Sequence, residues 1–360
     1  MTTAHINRIG TAVPDYDVHD TFVRFADQML PDRRSRLLFK RMVQRSEIEH
    51  RYSTFEPGET PTIAADRDGF YRPGQFAGTA ARMKRFETQA VELAMRSVDA
   101  VGIDDERSDI THLIVASCTG FTAPGLDQQL IERLGLNPSI ERTLVGFMGC
   151  SAAVNALKLA RHIVRSEPYA RVLVVNLELC TLHLQDSADL EVTLSALLFG
   201  DGSAASLVTA EPNGIALESF QAVTIPDSGS LITWSIGDSG FEMTLAGEVP
   251  SRIAGALRHE LRRNDTQAFL PGYEKDEIAL WAVHPGGRTI LDAVEQGLEL
   301  DPEALRWSRG VLRDYGNMSS ATLMFVLERM MRSAPAESNG VAMAFGPGLV
   351  AETFRFQLIA

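Results

Sequence analysis

Two hydrophobic rhythms run along this chain. Short apolar runs rich in β-branched residues predict buried strands at ITHLIVASC (110–118), RTLVGFM (142–148), ARVLVVNLELC (170–180) and EIALWAVHP (277–285). Between them, apolar positions recur at helical spacing in LDQQLIERLGL (126–136), which ends near Gly135, and in 151–166, 250–263, 287–299 and SSATLMFVLERMM (319–331). ALLFGDGSAASLVTA (196–210) reads as a turn and then a strand. NGVAMAFGPGLVAETFRFQLIA (339–360) reads as two strands around a Gly-Pro-Gly turn. Apolar strands alternating with helices predict an α/β fold with sheets covered by helices. Each half shows an apolar strand, a small-residue turn and a helix, without a repeat of fixed period. A seam near 210–220 separates an N-terminal half, 1–215, from a C-terminal half, 216–360.

Composition narrows the class. The 360 residues, 45% of them hydrophobic, suffice for a large core. The opening MTTAHINRIG lacks the apolar centre of a signal peptide, and no run of 18 apolar residues occurs. A soluble, cytoplasmic protein without a membrane span is expected. The three cysteines, Cys118, Cys150 and Cys180, have no CxxC spacing, and an odd count argues against a disulfide framework. The histidines are dispersed, so no metal site is expected. A formal charge of −13 argues against nucleic acid as a partner. The local exception is DRRSRLLFKRMVQR (32–45), with Arg33, Arg34, Arg36, Lys40, Arg41 and Arg45 against one aspartate. It fits a solvated helix face or a site for phosphate groups.

Three reactive side chains stand where a strand runs into small residues: Cys150 in GFMGCSA, His284 in WAVHPGGRT and Asn317 in DYGNMSSA. Singly, each has a plain reading. Cys150 fits a buried structural thiol, His284 a turn histidine and Asn317 a helix cap. Together they make a chemical set. A thiol at a helix N-terminus gains from unsatisfied N–H groups, which favour the thiolate. A neighbouring imidazole lowers its pKa further, and an amide adds a neutral donor for an oxyanion or enolate.

These motifs carry a resemblance over most of the chain. THLIVASCTGFTAPG (111–125), the Cys150 turn, LFGDG (198–202), HPGGRTILDAVE (284–295), DYGNMSSA (314–321), FGPGL (345–349) and the stretch around Arg41–Arg45 resemble a type III polyketide synthase of the chalcone and stilbene synthase family, in a bacterial form. The resemblance implies a thiolase-like αβαβα sandwich of two related halves, paired as a homodimer. It implies Cys150 as the nucleophile that takes an acyl group from an acyl-CoA starter. His284 and Asn317 would hold the carbonyl oxygen of malonyl-CoA, the extender, while it decarboxylates. Coenzyme A thioesters would be substrates, with no cofactor. Phe199 matches an aromatic gate, and Arg41 and Arg45 match contacts to coenzyme A phosphates. Gly286 and Gly287 would let the backbone approach the pantetheine arm. Ser319, Phe345, Gly346 and Pro347 would shape the pocket.

Departures from the plant pattern bear on the product. Leu38 stands where a lysine is common, which removes one phosphate contact. Cys118 replaces a threonine, Trp234 a glycine and Met243 a second gating phenylalanine. The loop around Leu182 and His183 is about two residues shorter than in plant members. These changes point to an aliphatic starter and an alkyl-pyrone or alkyl-resorcinol. Malonyl-CoA alone, giving a tetrahydroxynaphthalene-like product, is the other option. A rival class is a ketoacyl synthase of fatty-acid initiation, which takes its extender from a carrier protein. A hydroxymethylglutaryl-CoA synthase would need a further glutamate near the cysteine, and no candidate stands out.

Overall fold

Most strands are apolar on both faces, so both faces need cover, and helices provide it. The structure, a computed structural model, describes residues 2–58, 64–260 and 277–359. The chain begins β1 (Ala4–Ala12), β2 (Tyr16–Asp17), α1 (His19–Met29), α2 (Arg33–Ser46), β3 (Tyr52–Ser53), α3 (Thr79–Val101), β4 (His112–Ser117) and α4 (Leu126–Leu134). It continues through β5 (Glu141–Gly146), α5 (Ala152–Ser166), β6 (Val172–Leu179), α6 (Leu190–Leu198), β7 (Asp201–Thr209) and β8 (Gly214–Thr224). A hairpin, β9 (Ile232–Gly237) and β10 (Gly240–Leu245), precedes α7 (Val249–Glu260), β11 (Leu280–Val283), α8 (Arg288–Leu298) and α9 (Arg306–Tyr315). Helix α10 (Thr322–Ser333) and strands β12 (Ser338–Gly346) and β13 (Val350–Ile359) complete it.

Nine strands pair in the order β11-β12-β13-β8-β1-β7-β6-β4-β5. β1 joins the two halves of the sheet, pairing with β8 through Ala4–Ile6 and with β7 through most of its length. Alternation along the strands then sets five layers. In β4, Leu113 and Val115 pack beneath α3 and α4, while Ile114 and Ala116 face α5 and α10. In β11 and β12, Trp281, Val283, Val341 and Met343 pack on α7 and α8, while Ala282, Ala342 and Ala344 face the same α5 and α10. The result is the αβαβα order, with α5 and α10 as the shared middle layer.

The departures from the sequence expectation are local. The strand read as 142–148 stops at Gly146, because Phe147 turns to φ 55° and Gly149 to φ 59°. The helix read as starting at 319 opens with a tight turn, Ser319–Ala321. Residues 190–198 form α6, of which 196–198 were read as a turn. That helix is apolar around most of its girth, so it lacks the polar stripe that marks a surface helix. Positions 261–263 of the helix read as 250–263 lie outside the described residues.

Gly10 shows how tightly the outer layer sits. A Cβ there would collide with the backbone of Ser97 and Val101 in α3. Gly10→Ala is therefore expected to destabilise the fold by about 1–3 kcal/mol, as other overpacked cores are. A thermal midpoint equal to that of the unsubstituted protein would show that α3 moves freely away.

Candidate active site

Cys150 lies in a tight turn, Gly149–Ser151, that feeds into α5. A left-handed phenylalanine is strained backbone, and Phe147 is held so by what packs around the turn. The 345–348 segment packs directly on it. A Cβ on Gly346 would lie 2.5 Å from Ser151 Oγ and 3.0 Å from Met148 O, and a Cβ on Gly149 would overlap the Pro347 ring. Gly346 is thus required by the close approach of two backbones, while Gly348 (φ 73°) simply makes the turn. Cys118 also supports this turn. Its Sγ accepts the Gly149 N–H at 3.1 Å, and its carbonyl accepts Trp234 Nε1–H at 2.8 Å.

Asn317 arrives from the start of the α10 region. Its N–H donates to Leu198 O at 2.8 Å, and its carbonyl accepts from Gly200 N at 3.0 Å, so the backbone brackets Phe199. Its Oδ1 accepts the Ser319 N–H at 2.8 Å, a local turn bond ahead of the Ser319–Ala321 turn, whose N-cap position is Met318. The same Oδ1 faces the Cys150 thiol at 4.0 Å, and Ser319 Oγ lies 3.8 Å from that sulfur. Its Nδ2 donates to Gly286 O at 3.2 Å, two residues beyond His284. His284 follows β11, is 2% exposed, and has no hydrogen-bond partner on either ring nitrogen among the described residues.

One cavity unites most of the expected residues. Cys150, His284, Asn317, Ser319, Phe199, Gly286, Cys118, Trp234, Met243, Phe345 and Pro347 all line it. Trp234 and Met243 are cross-strand partners in the β9–β10 hairpin. Trp234 stands edge-on to His183, which stacks on Phe241 at 4.2 Å. His183 Nδ1 accepts the Phe241 N–H and its Nε2–H reaches Thr119 O, which fixes the short loop and a neutral ring. Four expected residues lie off the wall. Gly346 sits behind the cysteine turn, Gly287 packs near Leu198, and Arg41 and Arg45 are exposed on α2. The described His/carboxylate group close enough to share an ion, His112, Glu141 and Glu167, contributes nothing to this wall.

The electrostatics differ from the sequence expectation. A helix N-terminus and a neighbouring imidazole were expected to favour the thiolate. Instead burial pushes the Cys150 thiol up to about 11, against smaller lowering by Ser319 and Asn317. Burial likewise drives His284 down to about 3. Few polar groups line the cavity, so neither group carries a charge alone at neutral pH. A charged Cys150–His284 pair would need the proton to pass from sulfur to imidazole.

Among the buried charged residues that the sequence reading passed over, two frame this site. Arg51 donates to Phe199 O at 2.6 Å and Ala196 O at 3.0 Å, and so clamps the end of α6. Its Nε donates to His19 Nδ1 at 3.1 Å, and burial together with the Arg51 charge lowers that histidine to about 4. Glu178 closes β6 behind the cysteine. It accepts from Cys118 N, Thr119 Oγ1 and Ser320 Oγ, and burial raises it to about 7. It is a glutamate near the cysteine after all, yet it does not line the cavity. Its signal was a single acid inside the apolar run VLVVNLEL.

Comparison with known proteins agrees with this geometry. Residues 2–212 match the N-terminal domain of chalcone and stilbene synthases, and 216–360 match the C-terminal domain. The chain belongs to that family and is a type III polyketide synthase, a polyketide-forming enzyme with a thiolase-like fold. It is 34% identical to the alpha-pyrone synthesis polyketide synthase-like Pks18 of Mycobacterium tuberculosis, over 99% of this chain and 92% of that protein. The crystal structure of PKS-I from the brown alga Ectocarpus siliculosus superposes with a TM-score of 0.86 at 28% identity, covering 100% and 99% of the two chains. The type III domain of the Dictyostelium hybrid Steely1 gives 0.89 at 24% identity, over 99% and 100%.

His284→Gln should remove the proton acceptor. Alkylation of Cys150 by iodoacetamide at pH 7 should then slow by at least about tenfold, one pKa unit of lost pairing. Identical pH profiles for both proteins would mean that burial alone governs the thiol.

Proposed function

We propose that this enzyme is an acyltransferase that loads an acyl-CoA starter on Cys150 and extends it by decarboxylative condensation with malonyl-CoA. The observation that carries the reading is the meeting of Cys150, Asn317 and His284 on one largely apolar wall. The thiol proton passes to His284, and the thiolate attacks the thioester carbonyl. The coenzyme A thiol leaves with that proton. Malonyl-CoA then places its thioester oxygen against the imidazole and the second Asn317 N–H. Loss of carbon dioxide leaves an enolate there, whose carbon attacks the acyl-cysteine and frees the sulfur. Donors aimed at the forming enolate give the rate advantage. In this reading the half 1–215 supplies the nucleophile and the half 216–360 the histidine and asparagine.

Arg41 and Arg45 would meet coenzyme A phosphates. Arg288, in the turn after His284, donates to Arg45 O at 3.2 Å, so this end of α2 borders the cavity's histidine side. An aliphatic starter suits the apolar lining that Phe22, Phe55, Tyr71, Val192 and Ala196 give the cavity. Trp234 and Phe241 fill the hairpin side. The similarity to an alpha-pyrone synthesis enzyme favours lactone closure, giving an alkyl-pyrone. A homodimer would cover β5, an edge strand with a fully exposed first half, and the exposed Leu144, Phe121 and Met148 around it. Three free thiols suit the cytoplasm.

Mass spectrometry with labelled malonyl-CoA and a panel of short, long and aromatic acyl-CoA starters tests the reading. Labelled pyrones from aliphatic starters are expected, and turnover of aromatic starters alone would reject the alkyl assignment. Cys150→Ala should form no acyl-enzyme; product from that variant would end the nucleophile role. Asn317→Ala should lose malonyl decarboxylation by roughly 10²–10³-fold, the effect of one oxyanion donor.

A further inference from the structure

Helix α2 is unlike the rest of this acidic chain. It holds six cations and no acid over Arg33–Ser46. Its buried face is formed by Phe39 and Val43, which pack with Phe22 of α1 and Leu197 of α6. On the face turned away, a row at four-residue spacing runs Arg33-Leu37-Arg41-Arg45, and a second, Arg34-Leu38-Met42, curves from it down the flank. Leu37 is 59% exposed, Leu38 42% and Met42 37%, an uncommon concentration of bare apolar side chains among arginines. Lys40 is paired with Asp27 and Arg36 donates to Leu30 O, but Arg33, Arg34, Arg41 and Arg45 form no ion pair among the described residues.

Nucleotide phosphates alone do not account for this face. Arg33 and Arg45 are about 18 Å apart along the helix, and coenzyme A gains nothing from leucines between them. An interfacial membrane helix would present a broad apolar face, and that face of α2 is already spent on α1 and α6. Exposed apolar side chains set among unpaired cations fit a protein surface with the opposite pattern, an acidic helix with one or two apolar side chains. The face also stands at a useful place. Its C-terminal end is tied to the His284 turn through Arg288, and α2 packs on the helix that ends at Phe199.

We propose that the outer face of α2 docks an acidic acyl carrier protein, which delivers the starter on its pantetheine arm. The inference rests on the polyketide synthase reading above. The arm carries the same thioester as coenzyme A. Cys150 sulfur bonds to the acyl carbonyl carbon, the bond to the pantetheine sulfur breaks, and that sulfur leaves as a thiol with the proton lent by His284. No oxidant or reductant is involved.

The test is intact-protein mass spectrometry of Cys150 loading from dodecanoyl-CoA and from a bacterial fatty-acid acyl carrier protein bearing the same dodecanoyl thioester. Wild type should load from both, and added salt should slow the carrier route more. Arg33→Glu and Leu37→Glu, away from Arg41 and Arg45, should each cut carrier loading at least tenfold and leave coenzyme A loading within twofold. Loading from coenzyme A but not from the carrier overturns the docking proposal and leaves the function standing. Equal losses on both routes also overturn it, since the face would then serve the nucleotide or the fold. Vesicles of phosphatidylglycerol that bind wild type but not the variants, with carrier loading unaffected, would reassign the face to membrane. Loading from neither donor would remove the proposed function itself.

Discussion

Two helices buried between the two halves of the nine-stranded sheet, α5 and α10, begin at the same point, and the site depends on that meeting. Alanines at 152, 153, 156 and 160 along α5 let it lie deep in the shared layer. The turns that precede the two helices carry Cys150 and Asn317–Ser319, so the packing that closes the core also sets the sulfur beside the amide. Both N-termini direct their partial positive charge to this spot. His284 comes from a third direction, the end of β11, held by its N–H to Met343 O at 2.8 Å.

The loops above this meeting are fixed by buried charge. Arg51 gathers the carbonyls at the end of α6, and its stem packs on Gly316 just before Asn317. Phe199 and the amide therefore form one unit. Glu178 ties the end of β4 to the start of the α10 region through Cys118, Thr119 and Ser320. Buried ions cost desolvation free energy, and each is tolerated because several hydrogen bonds answer it. Loops tied this firmly preorganise the site.

Much of this was legible in the chain. Cys150 and His284 each mark a strand end with small neighbours, and small residues there report that something must come close; Asn317, read the same way, instead follows the end of helix α9 through Gly316. Alternating apolar strands and helices gave the layering. What stayed hidden depends on distant packing. Gly346 looks like a cavity residue in sequence, yet its neighbour is Ser151, almost two hundred positions away. Arg51 sits in HRYS, an unremarkable polar stretch, and its burial becomes visible only with α6 in place. The thiol's ionisation was misjudged for a similar reason. A helix terminus is a local feature, while desolvation is a property of the whole cavity, and here the second is larger.

That balance suits the proposed chemistry. A histidine charged at rest would bind the malonyl carboxylate and stabilise the ground state, which raises the barrier to losing carbon dioxide. A neutral imidazole and a neutral amide give the carboxylate little, and an apolar wall deprives it of water. The enolate that follows places its charge on the thioester oxygen, where both donors point in the proposed pose. The neutral resting pair also explains the need for a gate. Charge appears here only transiently, on sulfur and then on the enolate, and water admitted at the second moment would protonate the carbanion before it met the acyl group. In the proposed chemistry Phe199, clamped by Arg51 and bracketed by Asn317, would keep that water out.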